Sequence, residues 1–184
     1  VKADAKAGRA TALAPEDGAP RCYCELCRKA DGAPVGYGTG EGDEGQDPSI
    51  STAWFHFVDT LMKMSEQEFP DHRLASNGYA NRYMAPERVD AGFNARHNLV
   101  LMFADIGCCT IHRYDDPKCF MMVRQGEILK QWGKLCDKVW IYNYNYTMLV
   151  GKSTVVPMTK RVAANIPFLK KAGIMGFADQ DDAD

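Results

Sequence analysis

No stretch of the chain approaches the ~18 consecutive apolar residues that a membrane-spanning helix requires. The first residues, VKADAKAGRA, lack the apolar core of a secretory leader. A basic excess is also missing: 22 Lys and Arg against 24 Asp and Glu leave a net charge of −2. Such a chain has no positive field with which to recruit a phosphate backbone. We therefore expect no membrane span and no nucleic-acid partner. Seven cysteines in 184 residues are too sparse for a disulfide-stapled scaffold. What the chain does have is a 46% hydrophobic content, enough for the core of one ordinary domain. It begins at Val1, which we read as a cut edge of something longer.

Five short runs have strand composition: ATAL, HRLASNGYANRY, NLVLMFADIGCC, KVWIYNYNY and GIMGFADQD. Helical periodicity separates several of them. Ser51 and Thr52 offer an N-cap to AWFHFVDTLMKMSEQEF, in which Phe55, Val58, Leu61 and Met62 share a face and Pro70 follows the end. Further on, Phe120, Val123, Ile128, Trp132 and Leu135 give one apolar helix face, and Val162, Ile166 and Leu169 another. Residues 32–48 are Gly, Asp and Glu with almost no large apolar side chain, so they predict a flexible acidic loop outside the core. Alternating strands and helices with near-continuous apolar strands predict a parallel sheet covered by helices.

The polar strand ends select among such folds. Glu16 and Asp17, then Asn77, Tyr79 and Asn81, then Asp105 with Cys108, Cys109 and His112, then Tyr142 to Asn145, then Asp179 to Asp181 each follow an apolar strand. In a (β/α)8 barrel all such ends converge on one face, where the active site lies. Five strands cannot close eight, so the expected fold is α/β: a partial TIM-type barrel, about strands four to eight with their covering helices. Residues 1–184 then form one partial barrel domain whose N-terminal segment is supplied by the parent chain.

Several motifs carry chemistry. The string YMAPERV resembles the end of a kinase activation segment, but no His-Arg-Asp or Asp-Phe-Gly precedes it, so the phosphoryl-transfer parts are absent. Cys22, Cys24 and Cys27 place three thiols within six residues, close enough to share a soft cation such as zinc. A fourth ligand could come from Cys108, Cys109, His112 or Cys119; a local disulfide or unligated thiols are the alternatives. The carboxylates Glu16, Asp17, Asp105 and Asp179 stand where a glycosidase needs its acids, and where helix caps and loop ion pairs also occur. Trp140, Tyr142, Tyr144 and Tyr146 alternate along a strand, so one set faces a core while the other presents aromatic faces that suit sugar rings.

The order of ALAPEDG, CYCELC, STAWFHFVD, NLVLMFADIGCCTIH, KLCDKVWIYNYNY and GIMGFADQD resembles the bacterial family known as domain of unknown function 4838. The resemblance runs from about Ala10 to Asp181 and corresponds to the second half of that family's barrel. It implies a glycoside-hydrolase-like barrel related to endo-β-N-acetylglucosaminidases that release N-linked glycans. The family's Ser-Pro-Asn-Asp-like strand end matches Ala14, Pro15, Glu16 and Asp17, making Asp17 the first choice for a catalytic carboxylate with Glu16 beside it. This chain has Tyr142 and Asn143 where the family tends to have a tryptophan and an acid, and Ala178, Asp179 and Gln180 for a Phe-Glu-Gln-like end. An amide is neither acid nor base at neutral pH, so Asn143 is at most a hydrogen-bonding partner of substrate.

The expectation is hydrolysis of N-acetylglucosamine-containing glycans, free or on glycoproteins, by acid/base chemistry assisted by the substrate acetamido group. Tyr79, His112, Asn143, Tyr144 and Asp179 are the expected substrate contacts. Catalysis of this kind needs no cofactor; zinc at Cys22, Cys24 and Cys27 would be structural. The family analogy implies a secreted, periplasmic or cell-surface protein. A carbohydrate-binding barrel without turnover, or a zinc-stabilised structural barrel, is the competing expectation, and an isolated piece with open strand edges is expected to be poorly soluble or inactive.

Overall fold

A computed structural model describes residues 1–14, 22–30, 49–87, 98–105, 109, 111–143 and 159–179, without the side chains of Asp105 and Asp179. The expected acidic loop at 32–48 lies outside these residues. In chain order the elements are α1 (Lys2–Lys6), β1 (Thr11–Leu13), α2 (Glu25–Ala30), α3 (Ser51–Glu68), β2 (Leu74–Gly78), a 3-10 turn (Ala80–Arg82), β3 (Leu99–Asp105), α4 (Phe120–Leu135), β4 (Val139–Asn143), α5 (Thr159–Lys171) and β5 (Ile174–Asp179). Each of the five apolar runs contains one strand.

The strands form a single sheet in the order β1-β2-β3-β4-β5, every neighbouring pair parallel. A parallel strand must be reached by a crossover, and α4 and α5 supply the last two. Period-two alternation then sorts the side chains. Leu74, Leu99, Leu101, Phe103, Val139, Ile141 and Ile174 are buried in one cluster with Phe55, Val58 and Met62 of α3, Met122, Leu129 and Trp132 of α4, and Leu169 of α5. Helices therefore cover one face of the sheet, and each large side chain buried there contributes ~1.5–3 kcal/mol of transfer free energy. Sequential strand order with a one-sided helix layer is also the arrangement of consecutive units in an α/β barrel.

Local contacts fix the ends of these elements. Trp54 on α3 donates through Nε1 to Ser76 Oγ at 2.9 Å, and Ser76 donates in turn to the Leu13 carbonyl at 3.1 Å. This relay ties the end of the three-residue β1 to β2 and α3. The helix start differs from the sequence expectation. Ser51 and Thr52 lie inside α3 and are buried, while Ser49 Oγ accepts the Ser51 N–H at 3.2 Å and Thr52 Oγ1 accepts the Glu87 N–H at 3.2 Å.

Two helix faces also correct the pattern reading. On α4 the buried stripe is Met122, Gln125, Gly126, Leu129 and Trp132 with Ile128, leaving Phe120 80% exposed and Val123 at the surface. Gly126 belongs to that stripe because a Cβ there would stand 2.6 Å from the Tyr114 carbonyl oxygen and 2.8 Å from the Phe168 ring. On α5 the buried residues are Arg161, Asn165 and Leu169, with Ile166 half exposed. The apolar count misses this face because two of its members are polar and serve backbone groups of a distant loop.

Candidate functional site

Three adjacent strands finish in register. Asp105 at the end of β3 pairs with Asn143 at the end of β4, and Asn143 pairs with Asp179 at the end of β5. Neighbouring strands lie ~4.8 Å apart, so the two aspartate backbone positions are about 10 Å apart with the amide residue between them. Consecutive β/α units bring residues far apart in the chain to one edge, and here that edge carries an acid, an amide and an acid.

Beneath the row, Asn143 is buried at 7% exposure in a small pocket of mixed polar and apolar lining whose walls include Tyr114, Ile141, Arg161, Asn165 and Phe177. The pocket is built by α5 reaching across to the segment after β3. Asn165 Oδ1 accepts the Tyr114 N–H at 3.1 Å, and Arg161 donates through Nη1 to the Cys109 carbonyl at 3.3 Å. Phe168 stacks on Tyr114 with ring centroids 5.6 Å apart. Each contact satisfies a loop backbone group or covers an aromatic face, which is why Arg161 and Asn165 are stable at buried positions.

The end of β2 adds a second cluster. Tyr79 is half-buried and extended, and Ala80 follows with φ +53°, a left-handed conformation that a residue with a Cβ seldom adopts. The resulting reversal sends Arg82 into the interior at 1% exposure, where Nη1 donates to Asn81 Oδ1 at 2.9 Å and the guanidinium lies 5.8 Å from the Trp54 ring centroid. On the sheet face opposite the helix-packed Val139 and Ile141, Trp140 is 38% exposed and Tyr142 is half-buried. An aromatic pair thus stands on the face away from the main core.

Five of the described thiols, with His112, form two groups of three potential ligands. Cys22, Cys24 and Cys27 form one, Cys109, His112 and Cys119 the other, each with its ligand atoms within 4.8 Å of one another. Among the described residues the two sets stand separately; Cys108, one of the fourth-ligand candidates, lies outside those residues. None of the described cysteines is in a disulfide. Cys24 sits just before α2, where the Cys27 N–H, and after it the Cys22 and Cys27 thiols, donate to its sulfur and bring its pKa down to about 7. Cys27, donating to Cys22 and Cys24, is pushed up to about 12. Soft, closely spaced donors of this kind would suit a cation such as zinc.

At Cys109 burial raises the pKa, but hydrogen bonds from the His112 backbone and ring, from the Ile111 backbone and from Cys119 outweigh it and bring the value down to about 7. Burial, with the Asp137 charge beside it, pushes Cys136 up to about 12. Thiolate is the reactive form. In chelator-treated protein, alkylation followed by peptide mass spectrometry is expected to show Cys24 and Cys109 reacting with midpoints near pH 7, and Cys136 inert through pH 9. A Cys109 midpoint at the ordinary thiol value near 9 would mean that the His112 contacts do not form.

The family model of the domain of unknown function DUF4838 matches residues 6–184. The chain belongs to this family. No curated protein and no solved structure matches it. In this DUF4838 domain, Asn143 and the backbone of Asp179 are neighbours in one row, and Tyr79 follows β2 two strands away from Asn143. His112 faces Cys109, with Nδ1 3.1 Å from Sγ. Glu16, Asp17 and Tyr144 lie outside the described residues. The sequence reading missed Arg82, Arg161 and Asn165. The spacing of Arg161, Asn165 and Leu169 at i, i+4, i+8 was the available signal, hidden because two of the three are polar.

Proposed function

We propose that this DUF4838 domain is part of a glycoside-hydrolase-type (β/α) barrel, completed by an N-terminal segment of a parent chain, that hydrolyses N-acetylglucosamine-containing glycans. The observation that carries the reading is the registered row Asp105, Asn143 and Asp179 at the carboxyl edge of a sequentially ordered parallel sheet. Active sites of α/β barrels occupy that edge. Trp140 and Tyr142 lie on the inward face of such a barrel, where Tyr142, next to the end of β4, suits the apolar face of a sugar.

In this mechanism one carboxylic acid protonates the glycosidic oxygen while a second orients the 2-acetamido group, whose carbonyl oxygen attacks the anomeric carbon. Water then opens the cyclic intermediate. Asp17 is the leading catalytic carboxylate, with Glu16 beside it and the two roles not divided between them; Tyr79, His112, Asn143, Tyr144 and Asp179 contact substrate. Zinc on Cys22, Cys24 and Cys27 would be structural and takes no part in these steps. A secreted, periplasmic or cell-surface location goes with such a substrate.

The test is mass-spectrometric detection of glycan released from an N-glycosylated protein by the full-length parent and its Asp17→Asn variant. Removing a catalytic carboxylate of this kind typically costs roughly 10²–10⁴-fold, so the variant should release little or nothing. Absence of release by both proteins on varied glycans, with glycan binding retained, would replace hydrolysis by binding alone. The second reading is favoured by one observation, the amide Asn143 at the centre of the row.

A further inference from the structure

We infer that Cys109, His112 and Cys119 form a second metal site, distinct from the Cys22 group, that binds a zinc-class divalent cation and pins the loop after β3 to the start of α4. Geometry supports this first. The three ligand atoms come from positions spread over the β3–α4 connection yet lie within 4.8 Å of one another. His112 Nδ1 is 3.1 Å from Cys109 Sγ, and the His112 N–H points to the same sulfur at 3.5 Å. Tetrahedral zinc, with Zn–S ~2.3 Å and Zn–N ~2.0 Å, requires S···S of about 3.8 Å and S···N of about 3.6 Å. To meet them the Cys109–His112 pair opens by about 0.5 Å from its 3.1 Å, and no pair of the triad has to close from more than 4.8 Å.

The donors and their surroundings fit as well. Two thiolates and one imidazole are soft to borderline ligands that suit zinc over magnesium or calcium. Cys119 is buried at 8% exposure, and Cys109 and His112 are half-buried. The two sulfurs share no disulfide. Arg161 holds the Cys109 carbonyl and Asn165 the Tyr114 N–H, so α5 fixes the segment between the ligands from outside the triad. Such outer contacts are what orient ligands toward a metal.

Binding replaces the two thiol protons, which are released to solvent, and uses a ring nitrogen of His112; a further donor such as solvent completes the tetrahedron. The site also abuts the Asn143 pocket, since Tyr114 and Arg161 belong to the walls of that pocket and to the frame of the triad. Metal binding would therefore stiffen one side of the strand-end face.

The experiment uses the full-length protein with Cys22→Ser, Cys24→Ser and Cys27→Ser combined, loaded with Co2+ or Zn2+. One equivalent of metal is expected to remain, with thiolate-to-cobalt charge-transfer absorption, and to be lost when His112→Asn or Cys109→Ser is added. No bound metal in the triple variant, or metal retained after the added substitution, overturns the site. A measurement on unmutated protein decides the matter if the triple variant does not fold. Zn2+ should slow alkylation of Cys109 at least tenfold relative to chelator-treated protein while leaving Cys136 unchanged, and equal Cys109 rates would overturn the inference. Neither readout depends on glycan hydrolysis.

Discussion

Trp132→Ala is expected to lower stability by ~4 kcal/mol, within the range for deleting a fully buried large aromatic side chain. Trp132 is 0% exposed and sits where three elements meet. Its ring contacts Phe55 of α3 edge-on, with centroids 4.8 Å apart at 63°. It also lies against Gly78 of β2, where a Cβ would stand 3.6 Å from Nε1 and 3.3 Å from the Phe103 ring. Nε1 donates to the Tyr83 carbonyl at 3.0 Å. Truncation would open a large cavity and leave that buried carbonyl without its donor, a further cost of ~1 kcal/mol or more. Urea unfolding of the full-length protein measures the loss. Trp132→Phe keeps most of the volume and loses the hydrogen bond, so it should fall between wild type and Trp132→Ala. A loss below about 1 kcal/mol for the alanine variant would mean that α4 does not pack on the sheet through this residue.

The second large effect concerns the next residue and reverses a usual sign. Gly to Ala inside a helix ordinarily stabilises by ~1 kcal/mol through helix propensity. Gly133→Ala should instead destabilise by ~3 kcal/mol or more, the upper range for overpacking. A Cβ at 133 would stand 1.8 Å from the Ala172 carbonyl oxygen and 2.9 Å from its carbon. Both are backbone atoms of the turn between α5 and β5, so no side-chain rotation relieves the clash. That turn is itself constrained, because Gly173 holds φ +83° with the Gly133 carbonyl oxygen 3.2 Å from where its Cβ would be. Gly8→Ala is the matched control: its φ is +68° with nothing within 4 Å, so only the backbone conformation is penalised, by ~1 kcal/mol. Equal urea midpoints for Gly133→Ala and wild type would show that α4 and the α5–β5 turn do not approach this closely.

The parallel sheet was legible in the sequence because each strand is an apolar run ending in polar residues, a local pattern that needs no partner to be seen. The strand ends were legible for the same reason, and register then set Asp105, Asn143 and Asp179 abreast. The helix phases were not. Gln125, Gly126, Arg161 and Asn165 occupy buried positions that an apolar count assigns to the surface, and for Gly126, Arg161 and Asn165 the contacts that explain this lie across the fold. Phe120 and Ile166, apolar by composition, face outward. The thiols show the same division. The cluster at Cys22 was visible from spacing, while His112 and Cys119 are brought to Cys109 by the turn leading into α4.

The strand order has a consequence for how the domain is made. Every strand pairs with the one that precedes it in the chain, so a nascent polypeptide emerging from the ribosome can lay each new strand on an edge that already exists. Synthesis and assembly then run in the same direction. Among the described strands each new one joins at the edge formed by the one before it, and none must be threaded between strands already joined.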